Sequence, residues 1–249
     1  MNSFADIVAE MGGMNNMGHI IGPIPKCRCA GGCRTVVSRR GEFCTPCGRE
    51  EVQSRRRIEL AQAWSTVPNW TWARFGDPIL LANVAKNHSE RMYETAECWA
   101  PKHGSLSLMG FTGACKTSLM VAVAARMLEA AMLPEASSKA VEMVSGIRFI
   151  NAADLASAAR GFPLRGENEV PLVQEAIDAS ILFLDDLGHE DPKDRSVWRV
   201  YDARYRKDLK TVMSTRLTHA ELGSAERYGE DGRRRILESG VVADMGAKK

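Results

Sequence analysis

Gly110-Phe-Thr-Gly113-Ala-Cys115-Lys116-Thr117 is the stretch that decides the fold. It follows an apolar run (Leu106, Leu108, Met109) and opens a helical stretch over Lys116–Met132, the strand–loop–helix setting of a phosphate-binding loop. In such a loop backbone N–H groups converge at a helix N-terminus, whose dipole favours an anion. The pattern G-x-x-x-x-G-K-[ST] asks for glycine before the lysine, and this chain has Cys115. A side chain there crowds or strains the loop by about 1–3 kcal/mol. That corresponds to roughly ten- to a hundredfold in affinity. Cysteine is small, so the expectation is a weakened site.

A second segment lies some 70 residues on, Ile181-Leu-Phe-Leu-Asp185-Asp186. It reads as a buried strand whose carboxylates emerge at the carboxyl edge of the sheet, where open α/β sheets bind ligands. The two segments together point to a nucleoside triphosphate. Gly110, Thr112, Gly113, Ala114, Cys115, Lys116, Thr117 and Ser118 would form the phosphate cradle, with Lys116 reaching the β and γ phosphates. Thr117 and Asp185 would hold Mg²⁺, and Asp186 would orient or deprotonate the attacking water. Ser214 and Thr215 end the next strand, within expected reach of the γ-phosphate or the water, and Thr215 is taken as the catalytic candidate. Arg233-Arg234-Arg235 lies on a late helix, from which an arginine could complete a neighbouring subunit's site.

Outward from these motifs, strands are expected at Ser105–Met109, Ile147–Asn151, Ile181–Asp185, Thr211–Thr215 and Val241–Met245. Helices are expected at Ala152–Arg160, Pro171–Ala179, Asp194–Lys207, Thr218–Tyr228 and Gly232–Ser239, with Leu133–Ser145 a loop. Five short apolar strands alternating with helices predict an α/β fold, a parallel sheet covered on both faces. Upstream, a helix from Arg49 to Trp64 should pack Ile58, Leu60, Ala61 and Trp64. An aromatic connector (Trp70, Trp72, Phe75) and one helix from Ile79 to Trp99 follow. Trp70 and Trp72 read as a packed connector beside a base pocket, or as stacking groups.

The domain reading is a mobile arm at 1–24, a cysteine-rich module at 25–50, a helical and aromatic linker at 51–99, and the nucleotide-binding core at 100–249. Five of seven cysteines fall between Cys27 and Cys47, a clustering that points to metal. Cys29, Cys33, Cys44 and Cys47 form two knuckles suited to structural Zn²⁺, with Cys27 spare or standing in for Cys29. A segment this short would draw its folding energy from the metal. Nine basic residues against three acidic ones between Lys26 and Arg57 suggest a nucleic-acid or acidic-protein contact, or a solvated basic face. No apolar run approaches membrane-spanning length and no leader opens the chain, so a cytoplasmic location away from membranes is expected.

Residues 66–249 resemble the DnaC-like and IstB-like branch of the AAA+ ATPases, the bacterial helicase loaders and transposition helpers. The likeness rests on the order of "WARFGDP", "GFTGACKTSL", "RFINAADL", "ILFLDDLGHE", "VMSTRLTHAEL" and "RYGEDGRRRILESGVV". The resemblance implies a P-loop NTPase fold of AAA+ type without a C-terminal helical lid, binding and hydrolysing ATP. It also implies nucleotide-dependent homo-oligomers, contact with single-stranded DNA, and a partner engaged by the N-terminal region, a replicative helicase or a transposase. It places Arg235 on the arginine-finger position, and Thr215 with Arg216 on the sensor segment. Arg216 stands where the branch usually has Asn, a second departure after Cys115. A nucleotide-insensitive adaptor that keeps only the fold is the remaining alternative.

Overall fold

The computed structural model describes residues 45–133, 136–160, 170–192 and 194–246. The chain divides into two units, 1–54 and 55–249, and of the first only the opening of one helix lies among the described residues. That helix is α1 (Thr45–Thr66), four residues longer at its start than the sequence suggests.

The second unit is an α/β fold around five parallel strands: β1 (Ser105–Met109), β2 (Ile147–Asn151), β3 (Ile181–Leu187), β4 (Lys210–Thr215) and β5 (Gly240–Asp244). Their order is β2-β3-β4-β1-β5, so β4 lies between the phosphate-loop strand and the acidic strand. Side chains alternate across this sheet with the two-residue period of a strand, and the burial follows the alternation. Leu106, Leu108, Phe183 and Val212 enter one core, while Leu182, Leu184 and Met213 enter the other. The first core is covered by α1, α2 (Pro78–Lys86), α3 (Glu90–Cys98), α4 (Lys116–Met132) and α5 (Ser138–Ser145). The second is covered by α6 (Ala152–Ala159), α7 (Val170–Asp178), α8 (Ser196–Arg206), α9 (His219–Gly223) and α10 (Gly229–Glu238).

Several local expectations need correction. Residues 55–99 are no linker: Leu60, Ala63, Val67, Leu80, Met92 and Trp99 are part of the first core. On α1 the buried face is Leu60, Ala63 and Val67 just beyond it, whereas Ile58 is left 58% exposed. The expected Ile79–Trp99 helix is two helices. His88 sits at φ 54° and ends α2, with Ser89 N–H donating to the Val84 carbonyl (3.0 Å) and His88 N–H to Ala85 (3.2 Å). This is a Schellman-type stop in which histidine occupies the usual glycine position. The expected loop 133–145 contains α5, because the Ser137 hydroxyl caps Ala140 N–H (3.2 Å) and Val141 and Val144 are buried. The expected Thr218–Tyr228 helix is the single turn α9, and α10 starts at Gly229.

Candidate nucleotide-binding site

The site begins where β1 ends. Gly110 N–H donates to the Thr215 carbonyl (3.1 Å), fixing the start of the loop against β4. Gly113 takes φ 93°, a conformation that excludes most side chains, and Ala114 N–H closes back on the Phe111 carbonyl (3.2 Å). Cys115, at φ 59° and ψ 15°, is the residue before the first turn of α4. It therefore holds the left-handed conformation that the pattern's missing glycine would take without cost. Its thiol is engaged to the side, at 3.6 Å from Asn87 Nδ2 and 3.8 Å from the Gly113 carbonyl. Burial pushes the thiol's pKa up, which keeps it protonated and a poor nucleophile.

Lys116 is buried, and its ammonium donates to the carbonyls of Gly110 (2.8 Å) and Phe111 (3.0 Å). Burial lowers its pKa, and Asp186 and Asp185 act in the opposite direction. One residue on, Thr117 Oγ1 donates to Asp185 Oδ1 at 3.0 Å. The loop and the acidic strand thus meet through the two groups assigned to Mg²⁺.

The acidic strand does not end at Asp185. It runs on to Leu187, with a register irregularity between Leu184 and Leu187 and with Asp186 at φ 55°. Such a bulge lets a strand re-aim a side chain beside a site. Ser214 stabilises it: its Oγ donates to Asp185 Oδ1 (2.5 Å) and accepts from Asp186 N–H (2.9 Å). Burial pushes the Asp185 carboxyl's pKa up, the Ser214 hydrogen bond holds it down, and Asp186 adds to the rise.

An open cleft of about 410 Å³ lies over the loop. Thr112, Gly113, Cys115, Lys116, Thr117 and Ser118 line it, as do Asp186 and Arg216. Ala114 is instead buried in the core, and Gly110 contributes the carbonyl that holds Lys116. Thr215 needs correction as a catalytic candidate. It is fully buried, its hydroxyl donates to the Leu187 carbonyl (2.7 Å) and accepts from Leu217 N–H (3.0 Å). Ser214, on the neighbouring register, is the hydroxyl that touches Asp185. Arg235 lies outside the cleft, ion-paired with Asp202 and placed over the rings of Trp198 (5.8 Å) and Tyr205 (5.3 Å).

Asn83, Asn87 and His189 also line the cleft and carry no sequence motif. Asn83 comes from the middle of α2, while Asn87 and His189 arrive through the α2 stop at His88 and the turn after the β3 bulge, neither of which is legible from periodicity. Cys27, Cys29, Cys33 and Cys44 lie outside the described residues, as does the Cys47 side chain, so the zinc reading lies there too.

Chemically, the α4 N-terminus, Lys116 and Arg216 form a cationic wall opposite two carboxylates. The first-turn N–H groups of a helix have no intrahelical partner and suit phosphate oxygens. Asp185 and Thr117 offer hard oxygen donors, few in number, as Mg²⁺ prefers when phosphates and water complete its shell. The donor set fits that ion. Among the described residues no cluster of three or more His, Cys, Asp or Glu offers a rival metal site.

No family model matches the chain, and no curated protein matches it. Solved structures do. AMPPCP-bound DnaA from Aquifex aeolicus is 15% identical over 65% of this chain and 45% of its own, with a TM-score of 0.42. DnaI is 18% identical over 76% and 93%, with a TM-score of 0.43. A primosome component from Streptococcus pyogenes serotype M3 is 16% identical over 66% and 81%, with a TM-score of 0.40. The chain spans less than half the length of the DnaA structures it matches. The likeness is too loose to carry function. The class rests on what this chain itself shows: an α/β fold around a five-stranded parallel sheet, with a phosphate-loop geometry between β1 and α4 that meets the acidic end of β3. No helix among the described residues is long and apolar enough to cross a membrane.

Proposed function

We propose that this chain is an ATP-binding AAA+ protein of DNA replication, acting as a helicase loader: it binds ATP with Mg²⁺, contacts single-stranded DNA, and delivers a replicative helicase. The observation that carries the nucleotide part is the 3.0 Å hydrogen bond between Thr117 and Asp185 beside the buried Lys116. The sequence resemblance supports the replication part.

In this reading the first-turn N–H groups of α4 and the Lys116 ammonium bind the β and γ phosphates. On binding, Lys116 exchanges its two loop carbonyls for phosphate oxygens, so the loop is already shaped in the free protein. Mg²⁺, when bound, neutralises phosphate charge and is held by Thr117 and Asp185. Ser214 fixes the Asp185 carboxylate, and Asp186 faces the cleft where a water would be oriented. Arg216 supplies a second cation from the end of β4. Arg235 would act on a neighbouring subunit's nucleotide. The cysteine module, with Zn²⁺, would dock the partner or touch DNA.

Cys115 favours a second reading, an adaptor with little turnover, because its left-handed backbone strains the loop. Phosphate release with single-stranded DNA separates the two. The loader reading expects slow release that falls at least about tenfold in Lys116→Ala, and co-purification of replicative helicase with the full chain. Equal rates in wild type and variant reject the hydrolytic reading, and capture of a transposase in place of helicase rejects the loader assignment.

A further inference from the structure

The phosphate chemistry leaves one wall of the cleft unexplained. Trp70 lines it with 36% of its surface exposed, unusual for an indole with a core close by. Its orientation is fixed. Trp72 stacks on it with ring centres 5.7 Å apart and planes 8° from parallel, and Trp72 packs on the first core. The Trp70 carbonyl accepts from Ala73 N–H (3.0 Å) and Arg74 Nη1 (3.2 Å), while Trp70 N–H donates to Pro68 (2.8 Å). Arg74 is itself held by Glu129 (2.6 Å) and lies over the Trp64 ring. An aromatic plane fixed this firmly at the mouth of a cleft is pre-organised for stacking.

Two amides accompany it. Asn83 on α2 and Asn87, the residue that caps its end, are one helical turn apart and share a face. Asn87 Nδ2 is committed to the Asn83 carbonyl (2.8 Å) and to the Cys115 thiol. The Asn83 amide makes no hydrogen bond to the protein among the described residues. A free amide offers one acceptor beside one donor, which matches the N6 amine and adjacent ring nitrogen of adenine. Guanine presents two acceptors on the corresponding edge, so only one of the two bonds can form.

We infer that Trp70 and Asn83 form the base subsite of the cleft, with Trp70 stacking on the purine and Asn83 selecting adenine over guanine. The inference rests on the phosphate-site reading. Calorimetric titration of the full chain with ATP, GTP and inorganic tripolyphosphate, each with Mg²⁺, tests the two apart. Wild type should bind ATP about tenfold more tightly than GTP, and Trp70→Ala should weaken ATP about tenfold. Tripolyphosphate affinity should be unchanged in Trp70→Ala, which also shows that the variant is folded. Trp70→Phe should stay within about threefold of wild type for ATP, since a phenyl ring still stacks. Asn83→Ala should close most of the ATP–GTP gap. Equal affinity for ATP and tripolyphosphate in wild type, or equal losses of both in Trp70→Ala, overturns the base subsite alone. Binding of neither ligand by wild type overturns the phosphate site and the base subsite with it.

Discussion

At the residue scale, two positions govern the site. Cys115 holds φ 59° where glycine is conformationally free, a cost of about 1–2 kcal/mol for an L-residue. Cys115→Gly removes that strain, but glycine loses about 0.5–1 kcal/mol more backbone entropy on folding. The melting temperature should therefore move little, while nucleotide affinity rises several-fold through easier closure of the loop on phosphate. An unchanged dissociation constant in titration would show that the thiol is no obstacle. Asp185 is the second. Its raised pKa means the folded protein holds this proton more tightly than the unfolded chain. The associated stability is present below the ordinary carboxylate range and is lost as pH rises through the folded pKa. At neutral pH the buried carboxylate is a cost to the free protein, relieved by Mg²⁺. Asp185→Asn should accordingly match or exceed wild type in melting temperature at pH 7 while losing its Mg²⁺ response. Magnesium-dependent affinity in wild type should start to fall at higher pH than an ordinary Asp would give. A destabilised Asp185→Asn, or a magnesium response independent of pH down to the usual Asp range, contradicts this account.

At the scale of elements, the strands were legible because apolar runs of five alternate between two covered faces. The breaks between helices were not. His88 in the left-handed region gives no sequence signal, since glycine is the residue that normally marks such a stop. The same turn delivers Asn87 to the phosphate loop, so missing the stop meant missing that part of the site. His88→Gly should stabilise the protein by up to about 1 kcal/mol, or about 2–4 °C in a domain of this size. A lower melting temperature would show that His88 does more than end the helix. The bulge at Asp185 and Asp186 was equally hidden, because its cause is the pairing of β3 with Ser214 on β4. Helix α8 carried a third surprise. Charged side chains on a helix normally face water, as the exposed Arg199 and Arg206 do, but Arg204 is fully buried. Arg204 donates to the carbonyls of Ala176, Ile177 and Ala179 at the end of α7, to Lys210 at the start of β4, and to Thr211. Burial pushes its pKa down to about 10, still charged at neutral pH. Arg204→Met leaves those buried carbonyls unpaired and should cost about 3 kcal/mol or more in chemical denaturation. A loss under about 1 kcal/mol would mean that water replaces the guanidinium.

At the scale of the whole molecule, the sheet order places the phosphate loop, Asp185 and Ser214 on adjacent strands at one edge. Buried Glu190 extends the link beyond the cleft. It accepts from Gly188 N–H (2.8 Å) just after the β3 bulge and pairs with the Tyr228 hydroxyl just before α10. Helix α10 carries Arg235, which is held by Asp202 and two aromatic rings. If Arg235 serves a neighbouring subunit, it must leave that nest on assembly. Arg235→Ala should then keep nucleotide affinity within about twofold of wild type while hydrolysis in the oligomer falls at least about tenfold. Equal hydrolysis in the variant would assign Arg235 to packing alone.

The most direct measurement is equilibrium titration of the full chain with a fluorescent ATP analogue, with and without Mg²⁺, for wild type, Lys116→Ala and Asp185→Ala. The account predicts saturable binding that Mg²⁺ strengthens in wild type, loss of binding in Lys116→Ala, and binding indifferent to Mg²⁺ in Asp185→Ala. Binding by Lys116→Ala equal to wild type, or no magnesium effect in wild type, would contradict it.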